Sequence, residues 1–386
     1  LTRFLSGPQT TLFLAALGAE VVKIDDPKIG DPVAEAPPFL GKNGVSMTRS
    51  SSSDLGLAFL KRARGKKSIE LDLKNEIDKR LFLKLASTAD VIVENFRFGV
   101  TQRLGIDYEQ VKKINSKIIY CSITGYGNTG PEKSKKAFDA TIQAASGLMS
   151  VTGQPEGTPT KIGSSMADTI AGTFALSGIL ASLIQRNKTG IGEFIDVSMN
   201  DCLISLLYDE PWDCFGKLGL EKRQGNRIMR FSPFNFYSAA DGGIVFGAAT
   251  EKDWLAITYM IGREDLRTNP IFSNLGNRIK NADQIDHIVG EWAAKQKVSH
   301  IIQLCEKFEI PCSPVNDIAS IAESPQMQER DVLQKVQHPN FQLRDAPLAG
   351  NFPVKFSSAM TSIDQPAPKR NEHFREVLKN WLNFET

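Results

Sequence analysis

The chain has 386 residues, 41% hydrophobic and 23% charged, with a net charge of +2. That length can bury the cores of two domains. So small a charge excess excludes the broad basic face of a nucleic-acid binder and leaves any anion site to local cations. The five cysteines form no CxxC pair and the four histidines no HExxH, which argues against a disulfide framework, a zinc site and metal-assisted hydrolysis. Cysteine usage of this kind fits a reducing cytoplasm. No uninterrupted apolar run is long enough to suggest a membrane span, and no basic segment precedes an apolar one at the start.

In chain order, SGPQTTLFLAALGA reads as a helix and EVVKID (20–25) as a strand. No strand precedes that helix and the chain begins at Leu1, which leads us to expect further residues ahead of it. Residues 26–54, rich in Pro, Gly and Ser, read as one long surface loop. Strand SIELDL (68–73), helix NEIDKRLFLKLASTA, strand VIVENF (91–96), helix YEQVKKIN and strand KIIYCSIT (117–124) follow. Apolar runs of strand length alternating with helices predict an α/β fold with a parallel sheet. Two longer helices come next, FDATIQAASGLM and DTIAGTFALSGILASLIQRNKTG. In the second, Asp168 takes the N-cap position and Gly190 follows the last turn. GEFIDVSM (192–199) is another strand.

Beyond it the pattern changes. RFSPFNFYSAADGGIVFGAAT alternates apolar and polar residues around Asp241-Gly242-Gly243, a hairpin signal. Helices continue to about residue 310, and we place a smaller α+β domain there. The Pro-rich tail from Pro311 is extended and ends in the helix EHFREVLKNWL.

Three constellations carry chemistry. Asp168 sits among small residues in KIGSSMADTIAG. A carboxylate there serves as a helix cap, the commoner use of Asp at that position, or as a reactive group at a positive helix end with Gly163, Ser164 and Ser165 leaving room for a substrate. ELDLKN (70–75) and VENFRFGVTQRLG (93–105) begin at the carboxyl ends of parallel strands, where open α/β sheets bind ligands. Lys74, Arg97 and Arg103 supply cations, Phe96 a stacking face and Asn95 an amide, a set suited to a nucleotide with several phosphates or to a solvated basic face. Arg64, Lys66 and Lys67 in RARGKKS could join them. GYGNTGP (125–131) reads as a flexible loop and not as a phosphate loop, since no GxxxxGK[ST] is present.

Taken together, SGP, LGAEVVKID, RGKKSIELDLK, ENFRFGVTQRLG, SITGYGNTGP, KIGSSMADTIAG, GEFIDVSM and IPCSPVNDI resemble the class III CoA-transferases of the CaiB/BaiF type across nearly the whole chain. The resemblance implies a Rossmann-like large domain with a parallel sheet built from both chain ends (1–214 and 321–386). It also implies a small inserted domain (215–320) and an interlocked homodimer. Asp168 becomes the nucleophile, passing through an aspartyl anhydride and an aspartyl-CoA thioester. Leu73, Lys74, Asn95, Phe96, Arg97 and Arg103 become the CoA site, and Asp139 a second acidic group beside the reacting centre. Coenzyme A is then a substrate and no cofactor is tightly bound. The partners are an acyl-CoA and a free carboxylic acid, with no nucleic acid and no membrane.

Related racemases carry His–Asp where this chain has Phe138-Asp139, so two-base proton exchange lacks a partner. The alternatives are such a racemase with another second base, or a non-catalytic CoA-binding protein. Leu5 stands where formyl-CoA transferases have Gln, and FGAATEKDW replaces their glycine run, which points away from formyl or oxalate substrates. Ala34 and Asn371 stand where the family often has Arg and Gly.

Overall fold

The computed structural model describes residues 1–219, 223–340, 345–361 and 363–384. The chain divides into two compact units, one of residues 1–148, 161–210 and 325–386, the other of 149–160 and 211–324.

In the first unit, helix α1 (Ser6–Ala16) leads to strand β1 (Val21–Asp25). The segment expected to be loop holds three short strands, β2 (Phe39–Gly41), β3 (Gly44–Ser46) and β4 (Leu55–Gly56), in an antiparallel sheet. These strands are too short to show a period of two, but Phe39 and Leu40 are buried and Leu40 joins a small core. Helix α2 (Leu57–Arg62) packs on it. Strand β5 (Lys66–Glu70) ends three residues earlier than expected and pairs parallel with β1.

Helix α3 (Glu76–Thr88) starts at Asn75, whose side chain accepts from the backbone N–H groups of Ile77 and Asp78. Strand β6 (Val91–Glu94), short helices α4 (Val100–Leu104) and α5 (Tyr108–Ile114), and strand β7 (Ile119–Thr124) follow. All six residues of β7 are buried, as a strand covered on both faces should be. The single helix expected at 138–149 is α6 (Asp139–Ala145), then a turn and the short α7 (Leu148–Val151), whose residues from Met149 on count with the second unit. Helix α8 (Met166–Thr189) precedes strand β8 (Phe194–Ser198), which completes a parallel β6–β7–β8 sheet, and helix α9 (Met199–Leu207).

Contrary to the sequence reading, α8 is long and apolar enough to cross a membrane by composition. Its buried Ala167, Ala171, Gly172, Ala175, Leu176 and Ile179 pack into the core with Leu12, Leu14, Ile119 and Ile123. That is the pattern of a central core helix in an α/β layer.

No ladder joins β1 to β6 among the described residues. A cavity of about 660 Å³, lined by Val21, Val22, Ile24, Val91 and Val93 among others, lies there.

The second unit contains helix α10 (Trp212–Phe215) and the expected hairpin, strands β9 (Phe234–Ala239) and β10 (Gly242–Gly247). Helices α11 (Glu251–Met260), α12 (Leu275–Lys280), α13 (Ala282–Ala293) and α14 (Val298–Lys307) follow. Strand β11 (Cys312–Pro314), read as extended tail, adds a third antiparallel strand to β10. The unit has its own core around Ile244, Phe246, Trp254 and Ile257, and ends with α15 (Ile318–Glu323).

The chain then returns to the first unit through α16 (Pro325–Glu329), the antiparallel pair β12 (Leu333–Lys335) and β13 (Leu348–Gly350), and helix α17 (Phe374–Leu382). The parallel strands themselves all come from 21–198. The C-terminal end supplies Val336, Ala349 and Ala367 to the core of α2, and Val377 of α17 to the core of α3 and β5.

Candidate active site

The structure moves Asp168 from the expected N-cap to the third residue of α8. Ser165 is the cap, and its carbonyl accepts the first helical bond from Thr169. The Ser165 side chain caps nothing. Instead Asp139, the first residue of α6, reaches across, and its Oδ1 accepts the Asp168 backbone N–H at 3.2 Å. Asp139 is itself held by Gln143, whose Nε2 donates to Oδ2 at 2.7 Å and to the Ser164 carbonyl at 3.2 Å. The Gln143 Oε1 accepts from Ile162 N–H at 2.9 Å. One fully buried amide thus pins the approach to α8 and the acid that ends it.

The Asp168 carboxylate is half-buried. Burial raises its pKa above the ordinary aspartate value and the negative charge of Asp139 adds to this. Ser6 and the Arg62 guanidinium oppose it. Among the described residues no cation lies within ion-pair distance of Asp168. In front of it Gly163 and Ser164 are exposed, and a Cβ added at Gly163 would meet nothing within 4 Å.

Helices α1 and α8 touch beside Asp168. Gly172 lies one turn after Asp168 on the same face of α8, and a Cβ there would stand 2.8 Å from the Ser6 carbonyl. Thr10 Oγ1 bridges the two helices, bonding the Ser6 and Gly172 carbonyls at 2.9 and 3.0 Å. Phe4, with a left-handed φ of 64°, is held by the Asp31 carboxylate on its N–H and by Arg62 Nη1 on its carbonyl. Its ring meets that of Phe138 edge-on, 5.9 Å between centroids.

A cavity of about 410 Å³ lies at the carboxyl ends of β1, β5 and β6. It is lined by five of the six residues expected there: Leu73, Lys74, Phe96, Arg97 and Arg103, with Arg3 beside them. Arg3 sits over the Phe96 ring at 5.6 Å. Glu94, buried at the end of β6, accepts the Phe96 N–H at 2.8 Å and fixes that turn. The Arg97 guanidinium donates twice to the Ser134 carbonyl, at 3.1 and 2.8 Å.

Asn95 does not line the cavity. Its Oδ1 accepts the Arg3 N–H at 2.9 Å, and its Nδ2 donates to the Arg3 carbonyl at 2.8 Å and to Ser6 Oγ at 3.3 Å.

Nor do Arg64, Lys66 and Lys67 join this ligand site. Arg64 is buried against the Lys61 and Gly350 carbonyls, Lys66 bonds the Pro8 carbonyl and Thr11, and Lys67 pairs with Glu20 and Glu376. The GYGNTGP loop is tied down. Asn128 donates from its backbone and side chain to Asp196 and from its side chain to Ser122, while Gly127 takes a φ of 79°. The sequence reading missed Ser6, Arg62 and Gln143. Only SGP hinted at the first, and nothing local marks the other two.

Comparison with known proteins agrees with this architecture. The model of CoA-transferase family III matches residues 1–374. Acetyl-CoA:oxalate CoA-transferase of Acetobacter aceti is 36% identical over 99% of this chain and 93% of its own length. Succinyl-CoA:mesaconate CoA-transferase of Haloarcula hispanica is 33% identical, covering 98% and 93%. The human succinyl-CoA:glutarate CoA-transferase is 31% identical, covering 100% and 85%. The crystal structure of a CaiB/BaiF family protein from Brucella suis superposes with a TM-score of 0.83 at 29% identity, covering 99% and 97%. The chain is therefore an enzyme of CoA-transferase family III, the CaiB/BaiF type.

Proposed function

We propose that the enzyme moves CoA from an acyl-CoA thioester to a free carboxylic acid, with Asp168 as covalent nucleophile. The observation that carries this is the placement of Asp168: half-buried, free of an ion-pair partner among the described residues, raised in pKa and open toward Gly163. A desolvated, more basic carboxylate is a better nucleophile.

In the proposed sequence an Asp168 oxygen attacks the thioester carbonyl, the C–S bond breaks, and CoA thiolate leaves behind a mixed anhydride. The thiolate then attacks the Asp168 carbonyl and expels the donor acid, leaving an aspartyl-CoA thioester. The acceptor carboxylate attacks that thioester, and the thiolate released takes the new acyl group and frees Asp168. Lys74, Phe96, Arg97 and Arg103 hold the nucleotide end of CoA, through phosphate contacts and stacking.

The relatives are named for oxalate, mesaconate and glutarate, all dicarboxylic acids, so dicarboxylates are the proposed acids. The expectation that Leu5 and FGAATEKDW turn the site from oxalate finds no support beside an oxalate enzyme at 36% identity. We further read residues 1–214 with 321–386 as the CoA-binding domain, 215–320 as the small domain, and the active form as an interlocked homodimer in the cytoplasm.

The test pairs succinyl-CoA with oxalate, mesaconate and glutarate and adds hydroxylamine. Transfer to at least one acid, with a hydroxamate on Asp168 by mass spectrometry, is the expected result. Transfer without that adduct, or turnover by Asp168→Ala, removes Asp168 as nucleophile.

A further inference from the structure

Gln143 is 0% exposed and lies one helical turn after Asp139 on the same face of α6. A side-chain amide carries two N–H donors and a carbonyl acceptor, and here all of them are engaged. The donors go to Asp139 Oδ2 and to the Ser164 carbonyl, and the acceptor takes the Ile162 N–H. Turning the amide over would set oxygen against oxygen at both donor contacts, so only this orientation fits. Ile162 and Ser164 flank Gly163, and residues 161–165 belong to no helix or strand. Their backbone is held by these side-chain bonds rather than by a ladder. Asp139 carries the constraint forward, since its Oδ1 accepts the Asp168 N–H at 3.2 Å. Backbone at 162, 164 and 168, on both sides of the helix start, thus traces to one buried side chain.

We propose that Gln143 is a positioning residue for transfer: through Asp139 and the loop at Gly163 it fixes the first turn of α8 and so aims the Asp168 carboxylate at the thioester. The inference rests on the covalent reading above. In that step an Asp168 oxygen bonds to the thioester carbon as the C–S bond breaks to thiolate, and Gln143 and Asp139 give up no proton or electron. Both Asp139 oxygens face N–H donors, so its carboxylate serves here as an acceptor and not as an acid. On the core side Ala167 and Ala171 are fully buried, which fixes the turn from behind. Loosening the α6 clamp frees it toward the open side, at exposed Gly163 and Ser164. A misplacement of about 1 Å in a reacting group can cost about a hundredfold in rate.

Gln143 does not line the cavity of Lys74, Phe96, Arg97 and Arg103, so this role separates from CoA binding in its readout. Gln143→Met keeps the length of the side chain and removes its bonds to Asp139, Ser164 and Ile162. With the full chain, succinyl-CoA and glutarate, it is expected to lower kcat by about tenfold to a hundredfold, with KM for succinyl-CoA within about twofold of wild type. When hydroxylamine is added, the Asp168 hydroxamate should form more slowly by the same factor yet reach the wild-type amount per chain. That end point sets aiming apart from folding, because a merely structural role leaves fewer competent chains reacting at the ordinary rate.

Asp139→Asn sets one N–H donor against another, whichever way its amide turns, and should slow the hydroxamate in the same direction. A wild-type kcat in Gln143→Met, or a fall matched by fewer labelled chains, overturns the proposal and leaves the covalent reading standing. If Gln143→Met does not fold, an unchanged hydroxamate rate in Asp139→Asn does the same. Absence of any hydroxamate in the wild type, where acyl transfer proceeds, removes the covalent reading and this inference with it.

Discussion

Asp168 holds its proton more tightly in the folded chain than an ordinary aspartate does. Between the unfolded and folded pKa values the native state therefore binds more protons than the unfolded state. Stability falls as pH rises through that window, and at neutral pH the ionised carboxylate is a net cost. Asp168→Asn removes the charge facing Asp139. It should melt higher than the wild type at pH 7 while losing transfer, and the difference should close as the pH falls below the ordinary aspartate value. A variant that melts lower at pH 7, in parallel scans, contradicts this electrostatic account. Arg103, exposed on the rim of the cavity, carries a different expectation. Arg103→Ala should weaken CoA by ~1.5–3 kcal/mol in calorimetric titration if it meets a phosphate. Unchanged affinity takes it out of the site.

Helices α1 and α8 approach most closely at Gly172. In an exposed helix Gly→Ala gains about 1 kcal/mol of stability. At Gly172 the new methyl would face a backbone carbonyl at 2.8 Å, which cannot rotate away, so overpacking of about 1–3 kcal/mol outweighs the gain. Gly172→Ala should unfold at lower urea and lose turnover. Higher stability in the same assay refutes the close approach.

The alternation of strands and helices from 20 to 199 was legible because VVKID, VIVE and IYCSIT are apolar runs flanked by amphipathic helices. The sheet of β2, β3 and β4 was not, since two- and three-residue strands have no period to read. Asp168 was legible as a residue but misplaced as a cap. The cap lies three residues earlier, at Ser165, and the first turn is closed by Asp139, 29 positions from Asp168. The reassignment of Asn95, with partners 92 and 89 positions distant, lies equally beyond local pattern.

The two units have separate cores. In the second unit Asp286 accepts from Arg227, Asn235 and Tyr237, at 2.5, 2.9 and 2.7 Å. Asp286→Ala strands the Asn235 and Tyr237 donors, leaves Arg227 with Asp283 alone, and should cost that unit about 3 kcal/mol. Scanning calorimetry should resolve two heat-absorption events, of which only one moves in this variant. One undivided transition, displaced as a whole, shows that the units unfold together.

The Thr10 bridge carries a consequence for genetics. A library of random substitutions scored for turnover should return Thr10 and Gly172 among its most damaging positions, ranked near Asp168 although neither meets a substrate. A clinician or breeder sorting alleles by nearness to the reacting carbon would pass over both.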